Sequence, residues 1–305
     1  MKKHIASILF LFLLSTFQLI AQSHSVKRLG IEQGLSNNYV VSITQDKQGF
    51  LWFATEEGLN KFDGTRFTTY YKNDLTQDNQ GITGNELNRV YADTKHPIIW
   101  IATQRDGLNA YNYNEQTFTA YQHNPENPHS LITNDVTDIA PSTQHDDGLW
   151  ISTYYRGIEY LDITSGQFTH YNKSTVPSLP CDQTWTVLDG GDGNLYIGHV
   201  GSGFSIFSPK DKSVKNFRNE AGNPMSLPGN DVFCIIKDAN GNIWLGTNNG
   251  LALYDAANEN FITFKNNKND KYATLCSRIL SIRQLKDNRL WIASELNGIA
   301  ILNLK

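Results

Sequence analysis

The chain repeats itself six times, and that lattice decides what it can fold into. The segment VVSITQDKQGFLWFATEEGLNKFDGTRFTTYY, beginning at Val40, returns five more times in degraded form. Its clearest marker is an aromatic at Trp52, Trp100, Trp150, Tyr196, Trp244 and Trp291, spaced 46 to 50 residues apart. Small residues follow at Ala54-Thr55, Ala102-Thr103, Ser152-Thr153 and Gly246-Thr247. Every copy then takes a Gly-apolar step, from Gly58-Leu59 to Gly298-Ile299. Internal periods of this size belong to propellers, solenoids and arrays.

Within one unit the pattern reads as four short strands. β-Branched and aromatic residues cluster in runs of four to six bounded by Gly, Asn and Asp; in the fifth copy the runs are Val232 to Lys237, Ile243 to Gly246, Leu251 to Tyr254 and Phe261 to Phe264. The first turn is D-x-x-G at Asp46 to Gly49 and Asp238 to Gly241, in which Asp caps the turn and Gly supplies a positive φ. The second and third copies are longer at this point, through Lys95-His96-Pro97 and Gln144-His145-Asp146-Asp147, which marks it as an exposed hairpin tip. Four strands repeated six times give an all-β fold, a β-propeller of four-stranded antiparallel blades. The ring is either closed and six-bladed or part of a seven-bladed one. An N-terminal strand at Val26 to Gly30 is a candidate for the fourth strand of the last blade, the alternative being continuation of the array beyond Lys305. Trp185 aligns with Val41, Phe233 and Leu280 and is expected in the core.

Residues 1 to 21 carry Lys2 and Lys3, an apolar stretch from Ile5 to Ile20 and a small residue at Ala21, the layout of a cleaved secretory signal. The propeller domain is then 22–305, exported to the periplasm. Without Lys2 and Lys3, 24 basic residues face 30 acidic ones. A mildly acidic surface with no Lys/Arg run speaks against nucleic acid as a partner. Cys181, Cys234 and Cys276 are an odd set in no metal or CxxC spacing, so no disulfide and no cofactor are expected; Cys234 shares a column of small residues with Ser42, Thr186 and Ser281 and is expected to be a packed thiol.

The run L-S-N-N-x-V, D-x-x-G-x-L-W-x-A-T-x-x-G-L-N-x-F-D-G at Leu35 to Gly64, with the loop N-P-x-S-L at Asn127 to Leu131 and Asn223 to Leu227, resembles the two-component regulator propeller repeat. That family forms the periplasmic sensor of hybrid histidine kinases in Bacteroidetes. The resemblance implies a longer polypeptide with further propeller, β-sandwich, membrane, kinase and regulator segments, and ligands that are oligosaccharides. It implies, for this chain, a non-catalytic sensing module whose partners are an oligosaccharide and adjoining sensor or kinase domains or a second copy.

A ligand is expected where the loops between the second and third strands crowd the central channel, because these loops vary inside a constant frame. The chemically useful residues there are Arg105, Tyr154, Tyr155, Arg156 and His199, with Asn248 and Glu295. Tyr rings stack on sugar faces and Arg grips acids through paired hydrogen bonds. The bland reading keeps them as solvated loop residues, with Arg105 paired to Asp106 and Arg156 to Glu159. Asn38, Asn85, Asn134 and Asn230 precede first strands and are expected to satisfy backbone turns rather than to form a ring of ligand donors. No paired carboxylates or spaced histidines point to catalysis. A protein-binding scaffold, and a propeller lyase or glycosidase, are the competing functions.

Overall fold

A computed structural model describes residues 28–73, 81–264, 273–285 and 288–304. The leader expected at 1–21 lies outside them. The described residues form six antiparallel sheets. The first five are four-stranded and run in chain order from inner to outer strand; the sixth has three strands among the described residues. The inner strands are Val40–Gln45, Leu87–Ala92, Val136–Pro141, Thr184–Asp189, Val232–Lys237 and Ile279–Gln284. Each packs on the next from blade 1 to blade 6. The molecule is a six-bladed β-propeller. In blade 5 the strands are Val232–Lys237, Ile243–Thr247, Gly250–Asp255 and Asn260–Thr263, within a residue of the sequence expectation. The expected fourth strand of blade 6 is not supplied by Arg28 to Gly30: Leu29 packs beside Leu35, Phe53 and Phe62 of blade 1, a 3-10 turn follows at Ile31–Gln33, and Val26 and Lys27 fall outside the described residues.

The core lies between blades. Five apolar clusters each straddle one interface, from Trp52 with Val90 and Ile99 between blades 1 and 2 to Trp244 with Ile282 and Leu290 between blades 5 and 6. The repeating aromatic points forward into the following blade. Trp52 and Trp100 are wholly buried, and truncating such a side chain costs about 3–5 kcal/mol.

A buried indole also needs a partner for its N–H. The first turn of the blade provides it, Nε1 donating to the turn aspartate at Trp52–Asp46 (2.7 Å), Trp100–Asp93 (3.1 Å) and Trp244–Asp238 (2.9 Å). Blade 3 has Ser142 at the turn position, and Trp150 donates instead to Asp189 of blade 4 at 3.2 Å. In blade 4 the Tyr196 hydroxyl donates to Asp192 at 3.1 Å. Blade 6 has Leu285 there, and the buried Trp291 Nε1 has no hydrogen-bond partner among the described residues.

The constant Gly of the second hairpin has a steric cause. Gly58, Gly107, Gly157, Gly203 and Gly250 all hold positive φ. A Cβ on Gly107 would lie 2.3 Å from the Tyr121 carbonyl oxygen, and one on Gly203 2.1 Å from that of Phe217. Their N–H groups staple each hairpin to the segment leading into the next blade, through Asn85 (2.9 Å), Asn134 (3.0 Å), Asp182 (2.8 Å) and Asn230 (2.8 Å) carbonyls for Gly58, Gly107, Gly157 and Gly203.

Candidate functional site

The loops between second and third strands and the segments leading into each blade meet at one end of the channel. In blades 2 to 6 the loop is fixed by a backbone bond to the lead-in of its own blade, as in Tyr154 N to Asp135 O at 3.1 Å, Asn248 N to Asp231 O at 2.9 Å and Glu295 N to Arg278 O at 3.0 Å. On this rigid rim a continuous aromatic belt crosses blades 3 to 6. Tyr155 and Tyr154 meet edge to face at 4.3 Å between centroids; Tyr154 meets Trp185 at 6.0 Å; Trp185 meets Phe233 at 5.9 Å with perpendicular planes. Arg278 lies over the Phe233 ring at 4.3 Å and pairs with Glu295 at 3.2 Å. Trp185 and Phe233 are half-buried and Tyr155 is 54% exposed. Aromatic faces left partly open beside polar groups are what sugar rings and other flat apolar faces dock against.

The structure sorts the residues expected at the site. Tyr154, Tyr155 and Glu295 join the belt. Asn248 sits on the same rim, exposed, its Oδ1 accepting from the Asp231 N–H at 3.3 Å. Arg105 and Arg156 are exposed on their loops and outside the belt's chain of contacts. The surface pairs considered for them do not form: Asp106 pairs with Lys72 at 3.5 Å, and Glu159 is wholly buried.

His199 does not belong to the site. It stands where other blades have Thr55, Thr103, Thr153 and Thr247, fully buried, with Nε2 2.8 Å from Ser205 Oγ and Nδ1 3.5 Å from Cys181 Sγ. Burial holds its pKa down to about 4, so it is a neutral core imidazole.

Trp185 is the converse correction. Its column neighbours are at the channel mouth rather than in a blade interface, because a β-bulge between Thr184 and Thr186 turns it out of the ladder. The bulge recurs in every inner strand. An apolar column next to a bulge reads in sequence like a core column, so Trp185 and Phe233 are not distinguishable there; Arg278 lies in the lead-in to blade 6, outside that column.

The Asn column behaves as expected. Asn85, Asn134 and Asn230 accept through Oδ1 from backbone N–H groups of Lys72 (2.6 Å), His123 (2.7 Å) and Asn219 (2.8 Å), locking one blade's outgoing chain to the next. All three cysteines are free. Cys234 packs half-buried with its sulfur against the Gly246 backbone, and burial pushes its thiol up to about 12.

A cleft of about 560 Å³ opens at the opposite end, between the hairpin tips of blades 3 and 4, beside Trp150, Tyr160, Asp192 and Lys210. Its largest ring, Trp150, is only 7% exposed and serves the core rather than the cleft. Among the described residues no group of His, Cys, Asp and Glu is placed to hold a metal ion, and no helix is long and apolar enough to cross a membrane.

The comparisons with known proteins follow the same lines. The family model for the two component regulator propeller matches residues 34–57 and 226–249. The chain is 65% identical to the extracellular domain of a hybrid two-component system from B. thetaiotaomicron, covering 91% of this chain and 35% of that one with a TM-score of 0.82. A second such extracellular domain from the same organism is 22% identical over 92% of this chain and 37% of its own, TM-score 0.72, and shows the fold alone. Histidine kinase P4 of Formosa agariphila is 42% identical over 66 residues, 22% of this chain and 5% of that protein. The chain thus spans about a third of each of these two extracellular domains. Blade architecture and repeat signature are those of the two component regulator propeller at the matched repeats, and the chain is similar to the extracellular domains of hybrid two-component systems.

Proposed function

We propose that this propeller is the ligand-sensing part of a hybrid two-component system in the periplasm, and that its ligand is an oligosaccharide held at the channel mouth. The observation that carries the reading is the belt from Tyr155 through Tyr154, Trp185 and Phe233 to Arg278 and Glu295. It offers stacking surface from three consecutive blades, with a carboxylate and a guanidinium from the fourth at its end to take hydroxyl groups. The role is binding rather than turnover. The Cys181–His199 contact is the nearest thing to a nucleophile and base, and its imidazole is sealed in the core. A ligand bridging several blades favours the arrangement in which they are all engaged, and an adjoining domain reads that bias as a population shift.

Thermal melting of the protein with a panel of neutral and acidic oligosaccharides tests the reading. A ligand at a hundred times its Kd adds about 2.7 kcal/mol. Trp185→Ala removes the central ring without opening a blade interface, so it should abolish the ligand-induced shift while leaving the free protein's melt nearly unchanged. Retention of the full shift in Trp185→Ala, or turnover of the sugar, would overturn the proposal.

A further inference from the structure

One step below the mouth the inner strands present a second ring: Ser42, Arg89, Asp138, Thr186, Cys234 and Ser281, in register with Ala54, Ala102, Ser152, Gly198, Gly246 and Ala293. Arg89 Nε lies 2.9 Å from Asp138 Oδ1. The carboxylate is already fully engaged. Oδ1 also accepts from the Ile139 N–H at 2.9 Å, and Oδ2 accepts from Thr186 Oγ1 at 2.6 Å and from the Val187 N–H at 3.4 Å. Asp138 balances one guanidinium and has no acceptor capacity left for another.

A second guanidinium enters the same space. Arg283, on the inner strand of blade 6, is open to solvent and has no hydrogen-bond or ion-pair partner among the described residues. Protein crowds it nonetheless: desolvation, then the charge of Arg89, work against its protonated state, and the charge of Asp138 works for it. Arg283 lies two residues beyond Ser281 in an unbroken register, with Ile282 buried between them, so it shares the face of its strand that carries the ring. Two cations therefore line the channel with one saturated anion. Charge confined between low-dielectric walls attracts counter-ions strongly, and a free guanidinium fork matches the two oxygens of a carboxylate.

We propose that Arg283, with Arg89 behind it, is an anion site that takes the carboxylate of an acidic saccharide whose rings lie on the aromatic mouth above. This deepens the sensing reading and rests on it for the saccharide, while the anion site itself rests on the channel charges alone.

The test titrates the protein at constant ionic strength with trigalacturonate, with its fully methyl-esterified form, and with sodium sulfate, read by melting temperature and tryptophan fluorescence. Esterification keeps the rings and removes the charge. Trigalacturonate should bind at least tenfold more tightly than the ester, and Arg283→Gln should erase that difference while Arg283→Lys keeps part of it. Arg283 is exposed, so neither change threatens folding. Equal binding of acid and ester, or unchanged acid binding in Arg283→Gln, refutes the anion site and leaves the sensing reading standing. Protection by sulfate that Arg283→Gln removes, with no saccharide bound, supports the anion site and refutes the sensing reading. Indifference to all three probes refutes the anion site.

Discussion

Blade 6 carries a defect that one substitution should repair. In blade 5 the Asp238 carboxylate accepts from Trp244 Nε1, from the Asn240 and Asn242 backbone N–H groups and from Asn242 Nδ2, all at 2.9 Å. Blade 6 folds its turn the same way. Leu285 N donates to Arg289 O at 2.9 Å and Asn288 N to Leu285 O at 3.2 Å, matching Asp238 N to Asn242 O and Gly241 N to Asp238 O at 2.9 Å each. Among the described residues the acceptor is missing, and Trp291 Nε1 is buried without a partner there. Leu285→Asp should restore it. Satisfying a buried donor is worth about 1–3 kcal/mol. Against this, Leu285 is 43% exposed, so losing its partial burial costs about 1 kcal/mol of the roughly 1.5–3 for a fully buried leucine.

The net expectation is a gain of about 1 kcal/mol, or roughly 2–4 °C in Tm for a domain of this size. The assay is a double-mutant cycle by thermal and urea melting with Trp291→Phe, which fills the ring space without an N–H. In that background the gain from Leu285→Asp should vanish and leave the small loss of the leucine. The pH dependence follows from Asp238, where burial opposes ionisation but the bonds from Trp244 and Asn242 outweigh it and hold the pKa below the ordinary carboxylate value. A depressed carboxylate stabilises above its unfolded pKa of about 3.9 and loses that contribution as pH falls through the folded value. The gain at position 285 should therefore be complete at neutral pH and disappear in acid. A gain that survives in Trp291→Phe, or a net loss at neutral pH, would refute the account of the Trp–Asp lattice.

Three further outcomes are expected. Glu159 is wholly buried, accepting from the Ile132 N–H at 3.0 Å and lying 3.1 Å from His170 Nδ1; Glu159→Ala should cost about 3–5 kcal/mol, as breaking buried pairs does, and a urea melt will show it. The hydrogen bond to Glu159 raises the His170 pKa, so its contribution is complete below about 6.5 and fades as pH rises through the raised folded value, which NMR titration of the ring protons will locate. The Cys234 thiol, pushed up to about 12 by burial, should resist iodoacetamide in the native protein at neutral pH and react only on unfolding, as timed mass spectrometry can follow.

The parts of this molecule that were legible from residues alone are those where one requirement recurs in every blade. The repeating aromatic and the Gly with positive φ recur in all six blades and the Asp turn in three of them, so their periodicity exposes them. The site is written in departures from the lattice, and a departure has no periodicity to reveal it. His199 occupies a threonine position and looked like a loop ligand because its column was not read through to Thr55, Thr103, Thr153 and Thr247. Arg89 and Asp138 stand in the column of small residues that also holds Ser42 and Cys234; aligning all six copies brings the pair together, whereas reading four of them hides it. Trp185 failed for a different reason. The bulge that rotates it out of the ladder adds one residue to the inner strand, and in an alignment of the copies a bulged apolar column looks the same as a core column.

The lattice also sets how a ligand at the mouth could be felt elsewhere. Each interface has its own apolar cluster, and what joins neighbouring blades at the mouth is a short set of bonds: hairpin Gly N–H to lead-in carbonyl, and Asn Oδ1 to outgoing backbone. The belt crosses two of these joints, between blades 3 and 4 and between blades 4 and 5, and reaches on to Arg278 of blade 6. A molecule touching Tyr155, Trp185, Phe233 and Arg278 together therefore adds its binding energy across joints rather than within a blade. Single blades are rigid four-stranded sheets with little to gain from it, whereas the angles between blades are set by the joints the ligand spans. The quantity such a ligand could change is the relative setting of blades 3 to 6, and a neighbouring domain in contact with two of those blades would register it.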